Sequence, residues 1–192
     1  FHMSQYFDLS IRRIEIKKPK RDLKPVIKLQ YEVNKTLLHD EYYYPTDQRT
    51  IQECLDGDYI LLGVYNKDKL IAASFAFEGG LFFSKPITDW MEIPGNKIMC
   101  HEFVVVDMEY RGNGIQKRFM DATIREARQM GYDTIWCCAH PNNTPSVCSI
   151  ESTGYKFADQ FVVDGWPRNV YYRSTSIPVS YTHLRAHETS QD

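Results

Sequence analysis

Residues 103–130 read FVVVDMEYRGNGIQKRFMDATIREARQM and carry the signal that decides the fold. The stretch opens with an apolar run and ends with apolar residues at helical spacing, which predicts a buried strand followed by a helix from Ile115 to Met130. Between the two lie Gly112 and Gly114. A glycine-rich turn before a helix exposes backbone N–H groups at the positive end of the helix dipole, where a phosphate can bind.

The neighbouring segments extend this pattern into a strand-helix-strand unit. IMCHEFVVV at 98–106 is typical of a buried strand, and TIWCCA at 134–139 is typical of a second one. Such a unit implies two parallel strands joined by a right-handed crossover. Further along, Thr144 is predicted to cap a short helix, with Pro145 in its first turn and Gly154 just past its end.

The rest of the chain predicts further helices and strands of ordinary length. After Asp22, the apolar residues Val26, Leu29, Val33 and Leu37 recur at helical steps, which predicts an amphipathic helix. The other predicted elements are a strand at 9–16, a loop at 39–47, a short helix that is capped by Thr46 or Asp47 and ends near Leu55, a hairpin that turns at 66–69, a long connection at 78–97, and strands at 155–163 and 169–173.

The composition is that of one globular domain. With 192 residues, of which 43% are hydrophobic and 25% charged, the chain is long enough to bury a sizeable core. No apolar run approaches the roughly 20 residues that span a bilayer, and no secretory signal is visible, so we expect a cytoplasmic protein without membrane association. A net charge of -2 gives no field that favours nucleic acid.

The five cysteines predict neither a metal site nor a disulfide framework. Cys54, Cys100, Cys137, Cys138 and Cys148 show no CxxC spacing and are odd in number. Cys137 and Cys138 are adjacent on a predicted strand, so they face opposite sides of the sheet and cannot jointly hold a metal ion. We therefore expect reduced cysteines that pack in the core.

The C-terminal residues VSYTHLRAHET, at 179–189, resemble the translation of a transposase-type sequencing adapter. A natural polar tail of the same composition is the alternative. We predict that 178–192 is a non-native tail and that a single domain occupies 3–177.

Two common phosphate-binding motifs do not explain the glycine turn. A dinucleotide-binding GxGxxG motif would need a third glycine at Lys117, and a P-loop GxxxxGK[ST] has no match in the chain. Considered alone, the turn is also compatible with a tight connection that binds no ligand.

A second motif downstream favours a third family. VVVDMEYRGNGIQKRFM resembles motif A of the GNAT superfamily of acyl-CoA N-acyltransferases, and HPNNTPSVCSIESTGYKF is similar to its motif B. The resemblance implies an α+β fold of three layers (α/β), in which helices flank a mixed central sheet of about six to seven strands. The residues that match the two motifs are Tyr110, Arg111, Gly114, Asn143, Ser146, Gly154 and Tyr155.

The resemblance also implies acetyl-CoA as co-substrate, without a metal. Its pantetheine arm would pair with the backbone of the strand that ends at Val106, as an added strand. Main-chain N–H groups of the glycine turn would bind the pyrophosphate. Asn143 would either bind the pantetheine or cap the short helix. The implied binding residues are Val104, Val105, Val106, Arg111, Gly112, Asn113, Gly114, Ile115, Gln116, Lys117, Asn143 and Ser146.

Glu102 is the candidate for the general base that deprotonates an amine acceptor. It lies in an otherwise buried strand, where burial raises the pKa of an unpaired carboxylate toward a useful value. A glutamate at the rim of the sheet, paired with a nearby Arg or Lys, is the alternative. His101 would face the other side of a regular strand, where a structural histidine is the favoured interpretation.

Two positions depart from the pattern of the superfamily. Gln116 stands where most members have Gly or Ala, which requires a side chain that points away from the cofactor. Ile150 stands where many members have the tyrosine that protonates the leaving thiolate. Either the thiolate leaves unassisted, or Ser149, Cys148 or a tyrosine elsewhere takes over this role.

The predicted function is that of an acyl-CoA-dependent N-acyltransferase, which moves an acetyl group to a primary amine of a small molecule or peptide by direct attack in a ternary complex. Transfer of another acyl group and a non-catalytic acyl-CoA-binding sensor module are the alternatives. The oligomeric state is left open, with a homodimer among the choices. The tyrosines beside Pro45 either wall the acceptor pocket or cover the rim of the core. The candidate wall residues are Glu41, Tyr42, Tyr43, Tyr44 and Trp90.

Overall fold

The computed structural model of the chain describes residues 10–13 and 22–176. The predicted tail at 178–192 and parts of the predicted first strand lie outside these residues, and the domain bounds 3–177 stay a prediction. The strands are β1 (Ser10–Arg13), β2 (Tyr59–Asn66), β3 (Lys69–Glu78), β4 (Leu81–Phe82), β5 (Lys85–Pro86), β6 (Ile98–Val106), β7 (Thr134–Ala139), β8 (Lys156–Val163) and β9 (Trp166–Ser174). The helices are α1 (Lys24–Lys35), α2 (Gln48–Cys54), α3 (Ile115–Gln129) and α4 (Thr144–Ser152).

Seven of the strands form one mixed sheet in the order β1-β2-β3-β6-β7-β9-β8. Adjacent strands in this sheet are antiparallel, except that β6 and β7 run parallel. The parallel pair is connected through α3, so the predicted strand-helix-strand unit is confirmed. The small hairpin of β4 and β5 lies within the long connection before β6.

Helices cover both faces of the sheet and give the protein three layers. α1 packs on β3 and β6, whereas α3 packs on β2, β3 and β6 and against α4. Two buried clusters result, one with Phe119 and Ile124 of α3 and the other with Leu29 and Val33 of α1. The α+β fold with a mixed central sheet is therefore confirmed.

The caps of the two short helices show how local chemistry sets their starts. Asp47 caps α2, since its side chain accepts a hydrogen bond from the Thr50 backbone N–H at 2.8 Å. At α4 the prediction is wrong by one residue, because Asn143 occupies the cap position and Thr144 already belongs to the helix. Gly154 follows the end of α4 with a φ of 88°, a left-handed conformation that glycine adopts without strain.

Two further expectations need correction. β9 begins at Trp166 rather than at 169, because residues 166–168 continue the ladder with β8. The cysteines are free thiols, but Cys138 and Cys148 are exposed and are not core residues. Cys138 lines the groove described below.

Candidate active site

The parallel strands β6 and β7 part from each other partway along the sheet. They pair only from Ile98, opposite Thr134, to Cys100, opposite Trp136. β6 continues for six residues beyond this point and β7 for three. A gap therefore opens between the carboxyl ends of two neighbouring strands, which is where open α/β sheets commonly bind ligands.

A bulge in β6 lies directly after the last paired residue. Glu102 is the extra residue, because its neighbours Phe103 and His101 pair with the adjacent residues Phe75 and Ala76 of β3. A bulge bends its strand and redirects side chains. Here the side chains of His101 and Glu102 go to opposite faces of the sheet.

The ladder with β3 decides which backbone groups of β6 face the gap. The N–H of Asp107 donates to the carbonyl of Ile71 at 2.8 Å. Since hydrogen-bonded pairs alternate along an antiparallel ladder, Val105 also directs its N–H and C=O groups to β3. Val104 and Val106 then direct theirs to the gap, where an extended ligand can pair with them.

The gap belongs to a groove of about 520 Å³ that reaches both faces of the sheet. On one face it runs along the start of α3 and along α4, and on the other it runs past α1 and the loop that follows α1. One groove thus joins the glycine turn to the bulge. The predicted site residues that line it are Tyr42, Tyr43, Glu102, Val104, Val105, Val106, Arg111, Gly112, Gly114, Ile115, Gln116, Lys117, Asn143 and Ser146.

The turn before α3 offers a row of backbone donors. Gly112 and Gly114 have φ values of 82° and 68°, and a Cβ at either would meet nothing within 4 Å. This left-handed conformation favours glycine, and the space beside both residues is open. Among the described residues, no acceptor is found for the N–H groups of 112–117, and α3 lacks a side-chain cap. Free N–H groups at a helix start form a site for an anion.

Two side chains of the turn hold it in place. Asn113 Nδ2 donates to the Tyr110 carbonyl at 2.8 Å, and the Arg111 guanidinium donates to Thr36 Oγ1 at 3.2 Å. The side chain of Asn113 thus serves the turn itself, and Asn113 does not line the groove. The turn is fastened to the end of α1 by Arg111.

The helix α4 closes one side of the groove. Gln116, whose side chain is predicted to point away from the cofactor, lines the groove, and its Nε2 reaches α4, 3.4 Å from Ser146 Oγ. Ile150 is 4% exposed and packs in the core cluster that contains α3. Ser149 lines the groove, whereas Cys148 does not.

Glu102 is a half-buried carboxylate without a cationic partner among the described residues. Its Oε1 accepts a hydrogen bond from Thr46 Oγ1 at 3.1 Å, and Cys100 Sγ lies 3.7 Å from its Oε2. Burial raises the pKa of Glu102, and the hydrogen bonds from Thr46 and Cys100 offset only part of the rise. The alternative of a rim glutamate paired with Arg or Lys has no support in this part of the chain.

Gln30, which the sequence analysis did not single out, fixes the loop after α1. Its Oε1 accepts from the Thr46 N–H at 2.9 Å and from the Tyr43 hydroxyl, and its Nε2 donates to the Thr46 carbonyl at 3.2 Å. Burial, helped by the Glu102 carboxylate, raises the pKa of Tyr43 well above its usual value. The sequence did contain a signal for this role, because Gln30 is a polar residue within the apolar stripe of α1, four positions after Val26.

His101 lies on the other face of β6. Its Nε2 is 2.6 Å from Ser74 Oγ, which is the contact expected of a structural histidine. Its Nδ1 is buried and has no partner among the described residues. Burial lowers the pKa of His101 to about 4, so the imidazole is neutral at neutral pH.

Glu41 and Tyr44, two of the candidate wall residues, do not line the groove but connect the loop after α1 to β9. The carbonyl of Glu41 accepts from the Arg168 guanidinium at 2.8 Å. The ring of Tyr44 packs edge-on against Trp166, with centroids 5.7 Å apart. These contacts join two segments on opposite sides of the gap.

Trp90 is not a wall residue of the groove. Its ring packs edge-on against Phe82 at 5.3 Å and against Phe161 at 5.7 Å. Trp90 therefore helps to fix the long connection before β6 to the strand β8.

Two other kinds of feature are not found in residues 10–13 and 22–176. No group of three or more His, Cys, Asp or Glu side chains there is placed to bind a metal ion. No helix in this part of the chain is long and apolar enough to cross a membrane.

Several solved structures share this architecture, and two of the three described here are N-acetyltransferases by name. The N-acetyltransferase from Staphylococcus aureus Mu50 matches with a TM-score of 0.66 and 16% identity, over 88% of this chain and 99% of that chain. The ribosomal-protein-S18-alanine N-acetyltransferase from Escherichia coli matches with a TM-score of 0.61 and 15% identity, over 88% and 95%. Arabidopsis thaliana Naa50, in complex with the bisubstrate analogue CoA-Ac-MVNAL, matches with a TM-score of 0.61 and 13% identity, over 86% and 98%. At these identities the likeness shows a shared fold.

The sequence comparison identifies the family. No curated protein matches the chain. The model of the acetyltransferase (GNAT) family matches residues 29–155, which is more than half of the chain and includes the gap, the bulge and the glycine turn. The chain belongs to the acetyltransferase (GNAT) family.

Proposed function

We propose that this protein transfers an acetyl group from acetyl-CoA to a primary amine by direct attack in a ternary complex, within a single domain at 3–177. The observation that carries the proposal is the groove itself. It places the free N–H groups of the glycine turn and the Glu102 carboxylate on one continuous surface that passes through the sheet. The transfer needs hydrogen-bond donors that hold the phosphates of the coenzyme and a base that accepts the proton of the amine.

The α3 side of the groove fits coenzyme A. Its pyrophosphate would accept hydrogen bonds from the N–H groups of 112–117, beside two glycines that leave open space. Its pantetheine amides would pair with the backbone of Val104 and Val106. Asn143 and Ser146 stand across the groove, where they would contact the same arm. When bound, acetyl-CoA supplies the thioester carbonyl that the amine attacks.

Glu102 would accept the proton of the amine. An ammonium group cannot attack a carbonyl, so a base must remove its proton first, and a carboxylate with a raised pKa does this more readily than an ordinary one. A backbone N–H of β6 near Val104 would stabilise the oxyanion. The remaining contribution of the protein is to hold both reactants in the gap.

The acceptor would enter on the α1 side of the gap. Here the groove is walled by Val33, Leu37, Tyr42 and Tyr43, and the Glu102 carboxylate lies among them. Apolar and aromatic walls favour an amine that is attached to an apolar group, such as a peptide with a large apolar first residue. The Naa50 structure was solved with an analogue that contains the peptide MVNAL, which makes a peptide amine a sensible first choice.

The direct test is release of free CoA by the full chain, with acetyl-CoA and a panel of amines. The panel should contain peptides that begin with Met, Leu or Asp, a polyamine and a small aromatic amine, with propionyl-CoA as a second donor. We expect amine-dependent release that is fastest with an apolar first residue and with acetyl-CoA. Isothermal titration with acetyl-CoA is measured in parallel.

A non-catalytic acyl-CoA sensor is the second candidate, and the apolar Ile150 in the core favours it, because the usual proton donor is missing. Tight binding of acetyl-CoA without release from any amine of the panel would support the sensor. Failure to bind acetyl-CoA would contradict both functions. Faster CoA release with propionyl-CoA than with acetyl-CoA would indicate that the protein transfers a larger acyl group.

A further inference from the structure

One buried side chain outside the groove connects the two halves of its wall. His140 follows β7 directly, is 5% exposed and does not line the groove. Its ring packs on the ring of Tyr42, with centroids 4.7 Å apart, and its Nδ1 accepts a hydrogen bond from the backbone N–H of Asn142 at 3.1 Å. The first contact leads to the α1 side of the groove, and the second leads to α4. His140 is therefore placed to affect both sides.

The contact with Tyr42 supports the wall on the α1 side. Tyr42 lines the groove, and its ring contacts two imidazole rings, that of His39 at 4.8 Å and that of His140 at 4.7 Å between centroids. His39 is exposed, whereas His140 is buried. Because neighbours on all sides fix a buried side chain, His140 gives Tyr42 the firmer support of the two.

The other contacts of His140 hold the turn between β7 and α4. Besides the bond from Asn142 to Nδ1, the carbonyl of His140 accepts from the N–H of Asn143 at 3.0 Å. Asn143 occupies the cap position of α4 and lines the groove, and its side chain makes no capping hydrogen bond. The turn that places Asn143 thus depends on His140 at two atoms, and the amide of Asn143 is not used to cap the helix.

The surroundings of His140 keep its Nδ1 able to accept a hydrogen bond. A protonated imidazole carries hydrogens on both nitrogens and accepts none. Burial lowers the pKa of His140, and the Arg168 guanidinium and His39 act in the same direction, whereas the Glu41 carboxylate opposes them. The ring is therefore neutral at neutral pH, and the bond from Asn142 requires the tautomer that carries its hydrogen on Nε2.

We propose that His140 is a positioning residue with two separate tasks. Its ring holds Tyr42 in the wall that faces the acceptor amine, and its Nδ1 and carbonyl hold the turn that presents Asn143 to the coenzyme. This inference rests on the proposed function, since it assigns one side of the groove to each substrate. His140 touches neither substrate, and no bond to it forms or breaks in the reaction. It acts through the geometry in which both reactants are held.

Two substitutions separate the tasks. His140→Phe retains a ring against Tyr42 but has no atom that accepts from Asn142. His140→Asn has no ring, but its Oδ1 takes the place of Nδ1, since both atoms are bonded to Cγ, and asparagine commonly accepts from the N–H two residues further on. Asn142→Ala is the matched control, because it keeps the backbone N–H and removes only an exposed side chain.

The full chain and each variant are compared by isothermal titration with acetyl-CoA and by the KM for the amine at saturating acetyl-CoA. We expect His140→Phe to weaken acetyl-CoA binding about five- to tenfold and to leave the KM for the amine unchanged. His140→Asn should raise that KM about three- to tenfold and retain native affinity for acetyl-CoA. Asn142→Ala should match native protein in both measurements. Nitrogen-15 NMR of native protein should show the hydrogen of His140 on Nε2, a readout that needs no variant to fold.

Three results would overturn this inference alone, provided that native protein binds acetyl-CoA and releases CoA with an amine. They are equal losses in both measurements for both variants, which indicate a general structural role, native values in both variants, and a hydrogen on Nδ1 of His140 in native protein. If the variants do not fold, the tautomer decides. Failure of native protein to bind acetyl-CoA would overturn the proposed function together with this inference.

Discussion

Thr46 Oγ1 donates a hydrogen bond to Glu102 Oε1 over 3.1 Å and so connects the loop after α1 to the bulge in β6. Gln30 in turn holds the backbone of Thr46 at both its N–H and its carbonyl. The position of the carboxylate in the groove therefore depends on a buried residue of α1 that does not line the groove.

Glu102→Gln should lower the turnover number by about 10²–10⁴-fold, the usual contribution of a general base. Since the carboxylate form is the active one, the native rate should rise with pH through the raised pKa of Glu102, and the variant should lose this rise. CoA release is measured against pH, with acetyl-CoA affinity as the check that the site is intact. Glu41→Gln is the matched control, because Glu41 does not line the groove. Unchanged turnover in Glu102→Gln would remove Glu102 from the mechanism.

Thr46→Val should move the acid side of the pH–rate profile to higher pH. The hydroxyl of Thr46 stabilises the carboxylate form of Glu102, and its removal raises the pKa of Glu102 further. Thr46→Ser keeps the hydroxyl and should leave the profile in place. A profile that moves to lower pH would show that the hydrogen bond does not favour the charged form.

Glu102→Gln should also stabilise the protein above neutral pH. The pKa of Glu102 is higher in the folded state than the value of about 4.3 in an unfolded chain. The protonated form therefore favours folding fully below about pH 4, and this stabilisation is lost as the pH rises through the folded pKa. The Tm of the variant should exceed that of native protein at about pH 8, and the difference should shrink at about pH 4. An equal difference at both pH values would contradict the raised pKa.

Gly114→Ala should weaken acetyl-CoA binding, whereas Gly165→Ala should not. Both glycines have positive φ values, 68° and 80°, and a Cβ at either meets nothing within 4 Å, so the strain of about 1 kcal/mol or more is shared. Of the two, only Gly114 lines the groove. Isothermal titration should show about a tenfold or larger loss of affinity in Gly114→Ala alone. An equal affinity of the two variants would mean that the coenzyme does not approach this turn.

Gln30→Leu should impair the use of the amine without affecting acetyl-CoA. The leucine side chain fills similar space but leaves the N–H and carbonyl of Thr46 without their partner, at a cost of about 1–3 kcal/mol for each group. The KM for the amine should rise and kcat should fall, because the loop beside Glu102 loses its fixed position. Gln129→Leu, on an exposed residue of α3, is the control. A parallel loss of acetyl-CoA affinity would point to general unfolding instead.

The sequence predicted those features that depend on neighbours along the chain. The strand, turn and helix around Gly112 and Gly114 follow from apolar spacing and from the conformations open to glycine, and Asp47 is an ordinary helix cap. The parallel pairing of β6 and β7 follows from the strand-helix-strand order.

The features that failed or were missed depend on contacts distant in sequence. Trp90 was expected in the wall of the acceptor pocket, but its ring packs against Phe161 of β8. The residues around Trp90 in the sequence do not predict this contact. The bulge at Glu102 arises from the register with β3, which the residues of β6 alone do not encode. Gln30 could have been noticed as a polar residue in an apolar stripe, although its partner at Thr46 could not.

The parting of β6 and β7 gives the protein a pair of sheet edges in its interior. Edge strands usually lie at the outside of a sheet, where a strand from another protein can add to them. Here β3 and β9 flank the opening in the strand order, and α1 and α3 lie on the two faces. The unpaired backbone groups of β6 therefore face a groove inside the sheet, whereas the outer edges of the sheet, where another strand could add, are β1 and β8.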